Sequence, residues 1–148
     1  MAKRLRLSLI QQNGFTLMEL ILVMLIIGIL AAIALPAFLG QKGKGEDADA
    51  KSNARNLVSL VESCNTSKED YRQCSDVAGL GDTGIPYGSA PGQASVTDST
   101  RTSYTITAIS KATTSGVNNT FSITRDTNGV VSRACSGGSA SGCHSGTW

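Results

Sequence analysis

A long apolar run lies near the N-terminus of the chain. From Leu20 to Leu39 no side chain carries a charge, and only Gly28 and Pro36 interrupt the large apolar and alanine residues. At about 1.5 Å per residue, a helix of this length measures roughly 30 Å, which is the thickness of the hydrocarbon core of a bilayer. The pattern therefore predicts a membrane-spanning or assembly helix over residues 15–39.

A flexible, glycine-containing hinge and the amphipathic half of the same long helix are predicted over residues 40–64. Gly40, Gly43 and Gly45 come first, and because glycine costs up to about 1 kcal/mol in a helix interior, we expect residues 35–45 to bend or lose helicity. Helical periodicity then resumes and ends near Cys64. The apolar stripe of this amphipathic helix consists of Ala50, Ala54, Leu57, Val58 and Val61. We expect this stripe to pack on a sheet formed by the residues that follow the helix.

Residues 65–148 predict a small globular head with an antiparallel sheet. A loop region follows the helix, and residues 67–74 within it predict a short helical turn. Apolar and polar residues then alternate, which is typical of half-buried strands. Three strands are predicted over residues 103–108, 120–124 and 130–135, with a fourth at 93–97. The turn Asp126-Thr127-Asn128-Gly129 joins the second predicted strand to the third. The fold class is therefore α+β, with a long N-terminal helix packed on the sheet.

One acid stands at the front of the apolar run. A charged side chain inside a membrane span costs about 2.5–3.5 kcal/mol on insertion scales, so Glu19 indicates a partner or a function. A short segment, residues 1–14, precedes the run and carries Lys3, Arg4 and Arg6 but no acid. The junction between the two reads Gly14-Phe15-Thr16-Leu17-Met18-Glu19.

This junction resembles the processing site of type IV pilins and pseudopilins. The resemblance rests on the basic leader, the Gly-Phe pair, the glutamate five residues into the mature chain and the apolar span with Pro36. It implies that a prepilin peptidase removes residues 1–14 by cutting after Gly14, and that Phe15 is then N-methylated. It also implies that Glu19 and the Phe15 amine set the register between helices in a filament, and that Pro36 kinks the helix.

The residues themselves leave the partner of Glu19 open. Cleavage creates an ammonium at Phe15, four residues away, and side chains with this spacing share one face of a helix. The pair can therefore form within one chain, or between Glu19 of one copy and Phe15 of another. A third interpretation is that Glu19 is simply solvated at the membrane interface.

An ordinary secretory signal peptide is a rival interpretation of the same segment. Its cleavage site would be Ala32-Ile33-Ala34, and the mature chain would begin at Leu35 instead of Phe15. Two features disfavour this interpretation. Glu19 is unusual between a basic and an apolar region, and the apolar character continues beyond Leu35.

Charge predicts the topology and disfavours a nucleic-acid partner. The three leader cations favour a cytoplasmic N-terminus, with the head on the outer side of the inner membrane. The whole chain has 13 Lys and Arg against 11 Asp and Glu. Removing the three leader cations leaves 10 against 11, so the mature chain is nearly neutral and offers no general attraction for phosphates.

Four cysteines, in two pairs that are close in sequence, support export. Four cysteines permit three connectivities, and we favour the local one, Cys64 with Cys74 and Cys135 with Cys143, because each bridge closes a short polar loop. None belongs to a metal-type Cys-x-x-Cys unit, and His144 is the only histidine. The sequence therefore indicates no metal, no cofactor and no catalytic triad, and the protein is not predicted to be an enzyme.

The sequence thus predicts a structural subunit of a type IV pilus-like filament. Its partners would be further copies and other pilins, together with the peptidase/methyltransferase, assembly platform and ATPase that the resemblance implies. It would lie in the inner membrane before assembly and in an extracellular pilus afterwards. The alternatives are a pseudopilin of a type II secretion or DNA-uptake system, and a single-span anchored binding domain that does not polymerise. The sequence of the head contains no ligand-binding motif that would distinguish adhesion, motility, DNA uptake and secretion.

Overall fold

The computed structural model describes residues 14–148, except for the side chain of Leu39. The predicted leader residues Lys3, Arg4 and Arg6 lie outside this range. The chain divides into two compact units, one that ends at Phe38 and one that comprises Leu39–Trp148.

Helix α1 spans Leu17–Lys68. It ends four residues beyond the predicted end near Cys64, so that prediction is wrong. The polar residues that suggested a turn remain helical because the hydroxyls of Thr66 and Ser67 donate to helix carbonyls at 2.6 and 2.9 Å. The helix stops where Glu69 adopts a φ of 55°, a left-handed conformation that terminates helices.

The predicted loss of helicity at residues 35–45 is not seen, and a bend there and the kink at Pro36 stay predictions. Pro36 lies inside α1, and the helical assignment continues through Gly40, Gly43 and Gly45. Isolated glycines cost only about 1 kcal/mol each, and a helix with long flanks on both sides tolerates them. A flexible hinge at these glycines, at the start of residues 40–64, stays a prediction.

Two short turns connect α1 to the sheet, and each is capped by an aspartate. A 3₁₀ turn at Tyr71–Cys74 confirms the short helical turn predicted for this loop, and the Asp70 carboxylate accepts from its backbone. Helix α2, Val77–Leu80, was not predicted because four residues carry no periodicity. The carboxylate of Asp76 accepts from the N–H of Gly79 at 2.8 Å and starts this helix.

A four-stranded antiparallel sheet forms the rest of the head. Its strands are β1 (Ala94–Ser99), β2 (Tyr104–Thr114), β3 (Val117–Arg125) and β4 (Val131–Ser136), in spatial order β1-β2-β3-β4. All neighbours pair antiparallel. The α+β class, the three predicted strands and the fourth are confirmed, although β2 and β3 are longer than predicted.

The predicted turn between β3 and β4 is also confirmed. The Asp126 carboxylate accepts from the N–H groups of Asn128 and Val130 at 2.9 and 2.7 Å. Gly129 has a φ of 83°, a left-handed conformation that glycine adopts without steric cost. Aspartate and glycine therefore close this hairpin for separate physical reasons.

The core lies between α1 and the inner face of the sheet. Side chains of β2 and β3 alternate between buried and partly exposed, and the buried ones face the helix. Ala50, Ala54, Leu57 and Val61 are 0–3% exposed, which confirms that the apolar stripe packs on the sheet. The sheet residues of this core are Ala94, Tyr104, Ile106, Ala108, Phe121 and Ile123.

Both edges of the sheet are partly covered by other segments. On the β1 side, the N–H of Ala94 donates to the carbonyl of Pro86 and the N–H of Gly88 donates to that of Ala94, each at 3.0 Å. On the β4 side, the N–H of Cys135 donates to the carbonyl of Gly146 at 2.8 Å. Covered edges offer fewer free groups for unwanted strand pairing.

Two disulfides attach the 3₁₀ turn and the C-terminal segment to the rest of the head. The bonds join Cys64 to Cys74 and Cys135 to Cys143, the local pairing that the sequence favours. The first attaches the 3₁₀ turn to the last turns of α1, and the second attaches the C-terminal segment to β4. Loops of this length contribute about 2–3 kcal/mol each through restriction of the unfolded chain.

Candidate functional site

The junction at the start of α1 forms a helix cap. Gly14 and Phe15 precede the helix and are exposed, Phe15 to 79%. The hydroxyl of Thr16 accepts from the N–H of Glu19 at 3.2 Å, and the backbone carbonyl of Thr16 accepts from the N–H of Leu20 at 3.2 Å. Thr16 is therefore the N-cap, and Glu19 is the third residue of the helix.

This arrangement gives Glu19 a local role that the sequence analysis missed. Thr-x-x-Glu at a helix start is the pattern of a capping box, and it was visible in the sequence as Thr16 and Glu19. A carboxylate in the first turn also faces the positive end of the helix dipole, which contributes about 0.3–1 kcal/mol. Phe15 lies one residue before the cap, so an amine created there would belong to the same helix start.

The first unit presents an apolar surface without protein cover. Large side chains along its helix are 44% to 80% exposed, with Val23 and Met18 at the two extremes. An 18-residue window has a mean hydropathy of 2.9 with none of it buried, which fits a membrane span by length and composition alone. A signal sequence passes the same test. Each such side chain favours an apolar environment by about 1.5–3 kcal/mol, which lipid or other apolar helices provide.

In the head, Glu62 of α1 is the centre of a polar network. Its two carboxylate oxygens accept from the phenols of Tyr71 and Tyr104, each at 2.8 Å. Nε of Arg125 lies 3.5 Å from the same carboxylate, and the guanidinium stands 5.5 Å from the centre of the Tyr71 ring. One side chain of α1 therefore connects the 3₁₀ turn, β2 and β3.

The network changes the acidity of both phenols. Burial raises the pKa of Tyr104 above its ordinary value, and the hydrogen bond to the Glu62 carboxylate raises it further. The same two causes, in the same order, raise the pKa of Tyr71. Both phenols therefore remain neutral donors across the physiological range.

A second polar contact lies within the core. Asp47 of α1 and Asn119 of β3 are each 3% exposed, and the amide nitrogen of Asn119 donates to both carboxylate oxygens, at 3.0 and 3.2 Å. The hydroxyl of Thr114 donates to the Asn119 carbonyl oxygen at 2.7 Å. The sequence analysis missed this contact because its partners are 72 positions apart and no periodicity links them.

Within residues 14–148, no group of three or more His, Cys, Asp and Glu side chains is placed to hold a metal ion. The described residues thus comprise a capped, exposed apolar helix and a head that is held together by buried polar contacts. Such features suit assembly and stability.

Known proteins are similar to the N-terminal part of this chain in sequence. A family model described as "Prokaryotic N-terminal methylation motif" matches residues 10–35, which include the cap and most of the apolar run. The chain is 37% identical over 70 residues to the type IV major pilin protein PilA of Myxococcus xanthus, a match that covers 47% of this chain and 32% of the relative. It is 35% identical over 63 residues to the type IV major fimbrial protein FimA of Dichelobacter nodosus (43% and 40%). It is 44% identical over 62 residues to a fimbrial protein of Moraxella nonliquefaciens (42% and 36%). No solved structure is a significant match.

The cap and most of the apolar run therefore lie in a segment that is similar to the prokaryotic N-terminal methylation motif. The relatives with this similarity are named as pilins and fimbrial proteins, and the chain resembles them over 62 to 70 residues. The matches cover between 32% and 40% of the length of these relatives.

Proposed function

We propose that this chain is the precursor of a structural subunit of a type IV pilus-like filament. The precursor is inserted in the inner membrane, cleaved after Gly14 and N-methylated at Phe15. The mature chain, which begins at Phe15, then leaves the membrane and polymerises with further copies and with other pilins. The prepilin peptidase/methyltransferase, an assembly platform and an ATPase are the machinery that acts on it.

The observation that carries this proposal is the coincidence of three features at one place. The methylation motif matches residues 10–35, the Thr16 cap lies inside that match, and the helix that follows has no protein cover in its own unit. A signal peptide needs only the apolar run. A mature chain that begins at Phe15 retains the Thr16 cap and Glu19, whereas removal of a signal peptide would discard both.

Glu19 acts in assembly through the amine that cleavage creates. A carboxylate among apolar helices needs a cation, and the Phe15 ammonium of a neighbouring copy supplies one without any other charged residue in the apolar run. Pairing between copies sets their axial register. Apolar helices gathered in the filament remain protected from water after they leave the lipid, and a head-to-tail contact that does not close produces a fibre.

Mass spectrometry of surface filaments tests the processing. Filaments sheared from cells should contain this chain beginning at Phe15 and heavier by one methyl group. A mature terminus at Leu35 would show that the segment is a signal peptide and would overturn the proposal. Filaments that form in the cell envelope but do not extend from the surface would support the pseudopilin alternative.

A substitution at Glu19 tests polymerisation. Glu19→Leu should abolish filaments while the uncleaved or cleaved chain still accumulates in the membrane, and Met18→Leu is the matched control that keeps the charge. A non-polymerising anchored domain would insert at least as well with Glu19→Leu, because a charge is removed from its span. Normal filaments from Glu19→Leu would refute the role given to this carboxylate.

A further inference from the structure

Three cations surround one indole on the β4 side of the head. The centre of the Trp148 ring lies 5.1 Å from Cζ of Arg55, 5.2 Å from Cζ of Arg133 and 5.8 Å from Nζ of Lys51. The indole itself is held by an edge contact with Phe121 and by a hydrogen bond from its nitrogen to the carbonyl of Ser122 at 3.2 Å. We call Lys51, Arg55, Arg133 and Trp148 the cation–indole cluster.

The charge of this cluster is not neutralised by acids of the head. Across the described part of the chain, ion pairs join Lys42 to Glu46, Arg72 to Asp70 and Arg125 to Glu62. None of these includes a cation of the cluster. Lys51 donates to the carbonyl of Ser141 at 2.8 Å, a neutral partner, while Arg55 and Arg133 are exposed. The ring attracts each cation, yet the cations repel one another, so an anion at this surface would be bound favourably.

Acids lie on the opposite, β1 side. Glu46 and Asp49 of α1 line a cleft of about 260 Å³ together with Pro86 and Gly92, which lie next to β1, and with Lys111 of β2. We call this the acidic cleft. Three more exposed acids belong to β1 or to the loop that precedes it: Asp76, Asp82 and Asp98.

The two surfaces differ because cations and acids lie on different sides of the head, and not because either sign is in excess. The second unit carries ten Lys and Arg and ten Asp and Glu, since the 13 cations of the chain include three in the leader and the 11 acids include Glu19. On α1 itself, Asp49 lies towards β1 while Lys51 and Arg55 lie towards β4. In the acidic cleft Lys42 pairs with Glu46 at 3.9 Å and Lys111 adds a second cation, so within the described residues Asp49 is the cleft's acid without an ion pair.

We propose that the cation–indole cluster of one copy docks on the acidic cleft of a second copy, with Arg55 paired to the second copy's Asp49. The proposal rests on the proposed filament, because it names the contact between heads that such a filament needs. Two different patches of the same molecule meet, so the contact is heterologous and extends without closing unless the rotation between copies makes a ring. Opposite charges also orient the copies as they approach each other.

The pairing has a geometric consequence. Arg55 is six residues beyond Asp49 on α1, so parallel copies joined by this pair are displaced by about 9 Å along the helix.

A charge exchange tests the proposal in the full chain expressed in cells. Arg55→Glu should reduce the yield of sheared filaments about tenfold or more, because two acids then face each other. Asp49→Arg should do the same. The chain with both substitutions restores the pair with its signs reversed, and its yield should return to within about twofold of the original. Arg101→Glu, the same change on an exposed loop, is the matched control and should leave the yield unchanged.

Two further measurements separate failure of this contact from other failures. The membrane level and disulfide state of each variant show whether the head has folded, and Arg55→Gln, which keeps the size of the side chain, should give an intermediate yield. Normal filaments from Arg55→Glu, or no rescue by the exchange in a folded chain, would overturn the contact alone. Absence of filaments containing the unaltered chain would instead contradict the proposed function.

Discussion

The contact between Asp47 and Asn119 leads to a sharp prediction about stability. Asn119→Leu removes the amide that donates to both oxygens of a carboxylate that is 3% exposed. A hydrogen bond to a charged group contributes about 1.5–3 kcal/mol, and the buried carboxylate left behind loses its compensation for desolvation. We expect the free energy of unfolding to fall by about 3 kcal/mol, at the upper end of that range.

Leucine at position 119 fits into the space beside Asp47, so the expected loss of stability measures the missing hydrogen bonds and not a steric clash. A cavity of about 230 Å³ adjoins Asp47 and Asn119, so leucine has room beside the carboxylate. The double variant Asp47→Leu/Asn119→Leu removes both polar partners, and its stability should lie within about 1 kcal/mol of the original chain. Asn56→Leu, on the exposed face of α1, is the control and should change stability by less than about 0.5 kcal/mol.

Thermal unfolding of the full chain in a mild non-ionic detergent measures the effect. The fluorescence of Trp148, the single tryptophan, reports on the head because its ring packs against Phe121. For a head of this size, 3 kcal/mol corresponds to a fall in Tm of about 12–24 °C. The reasoning is refuted if Asn119→Leu lowers the Tm by less than about 4 °C, or if the double variant is as unstable as the single one.

Three further predictions concern the core, the phenols and a disulfide. Leu57→Ala should cost about 2–5 kcal/mol in the same assay, because Leu57 is 0% exposed; a loss below about 1 kcal/mol would contradict its place in the core. The raised pKa values of Tyr71 and Tyr104 mean that the stability they contribute is fully present below about pH 10, the ordinary tyrosine value, and is lost as the pH rises through their folded values. Absorbance of phenolate at 295 nm should therefore lag behind that of free tyrosine until the head unfolds, and ordinary titration of both in the folded head would argue against the network. Replacing Cys135 and Cys143 together by serine should lower stability by about 2–3 kcal/mol and expose the β4 edge to faster amide exchange; unchanged exchange there would show that the bridge does not hold the covering segment.

The sequence predicted those parts of the fold that depend on local pattern. The stripe from Ala50 to Val61, the alternation in β2 and β3 and the Asp126 turn each depend on residues a few positions apart, and the structure has all three. The end of α1 was predicted too early, because serine and threonine hydroxyls satisfied by helix carbonyls are compatible with a helix end and with its continuation.

In the candidate site, too, the features that depend on nearby residues could be predicted from the sequence. The junction from Gly14 to Glu19 could be recognised from its residues, and the Thr16 cap was open to the same inspection, since its two partners are three positions apart. The roles of Gly14, Phe15, Glu19 and Pro36 in processing and assembly stay predictions.

By itself, the sequence of this protein determined the apolar helix, its capped start with one acid, the helix face that covers the sheet and the turns of the head. All of these follow from hydrophobic periodicity and from the conformational preferences of single residues, which act over one or two turns of chain. Only the tertiary structure decided that Asn119 supports Asp47, that two phenols converge on Glu62, and that three cations meet at Trp148 while acids lie on the other side. Polar contacts of this kind join residues far apart in the chain, and their energy depends on burial and distance, which appear only when the helix lies on the sheet.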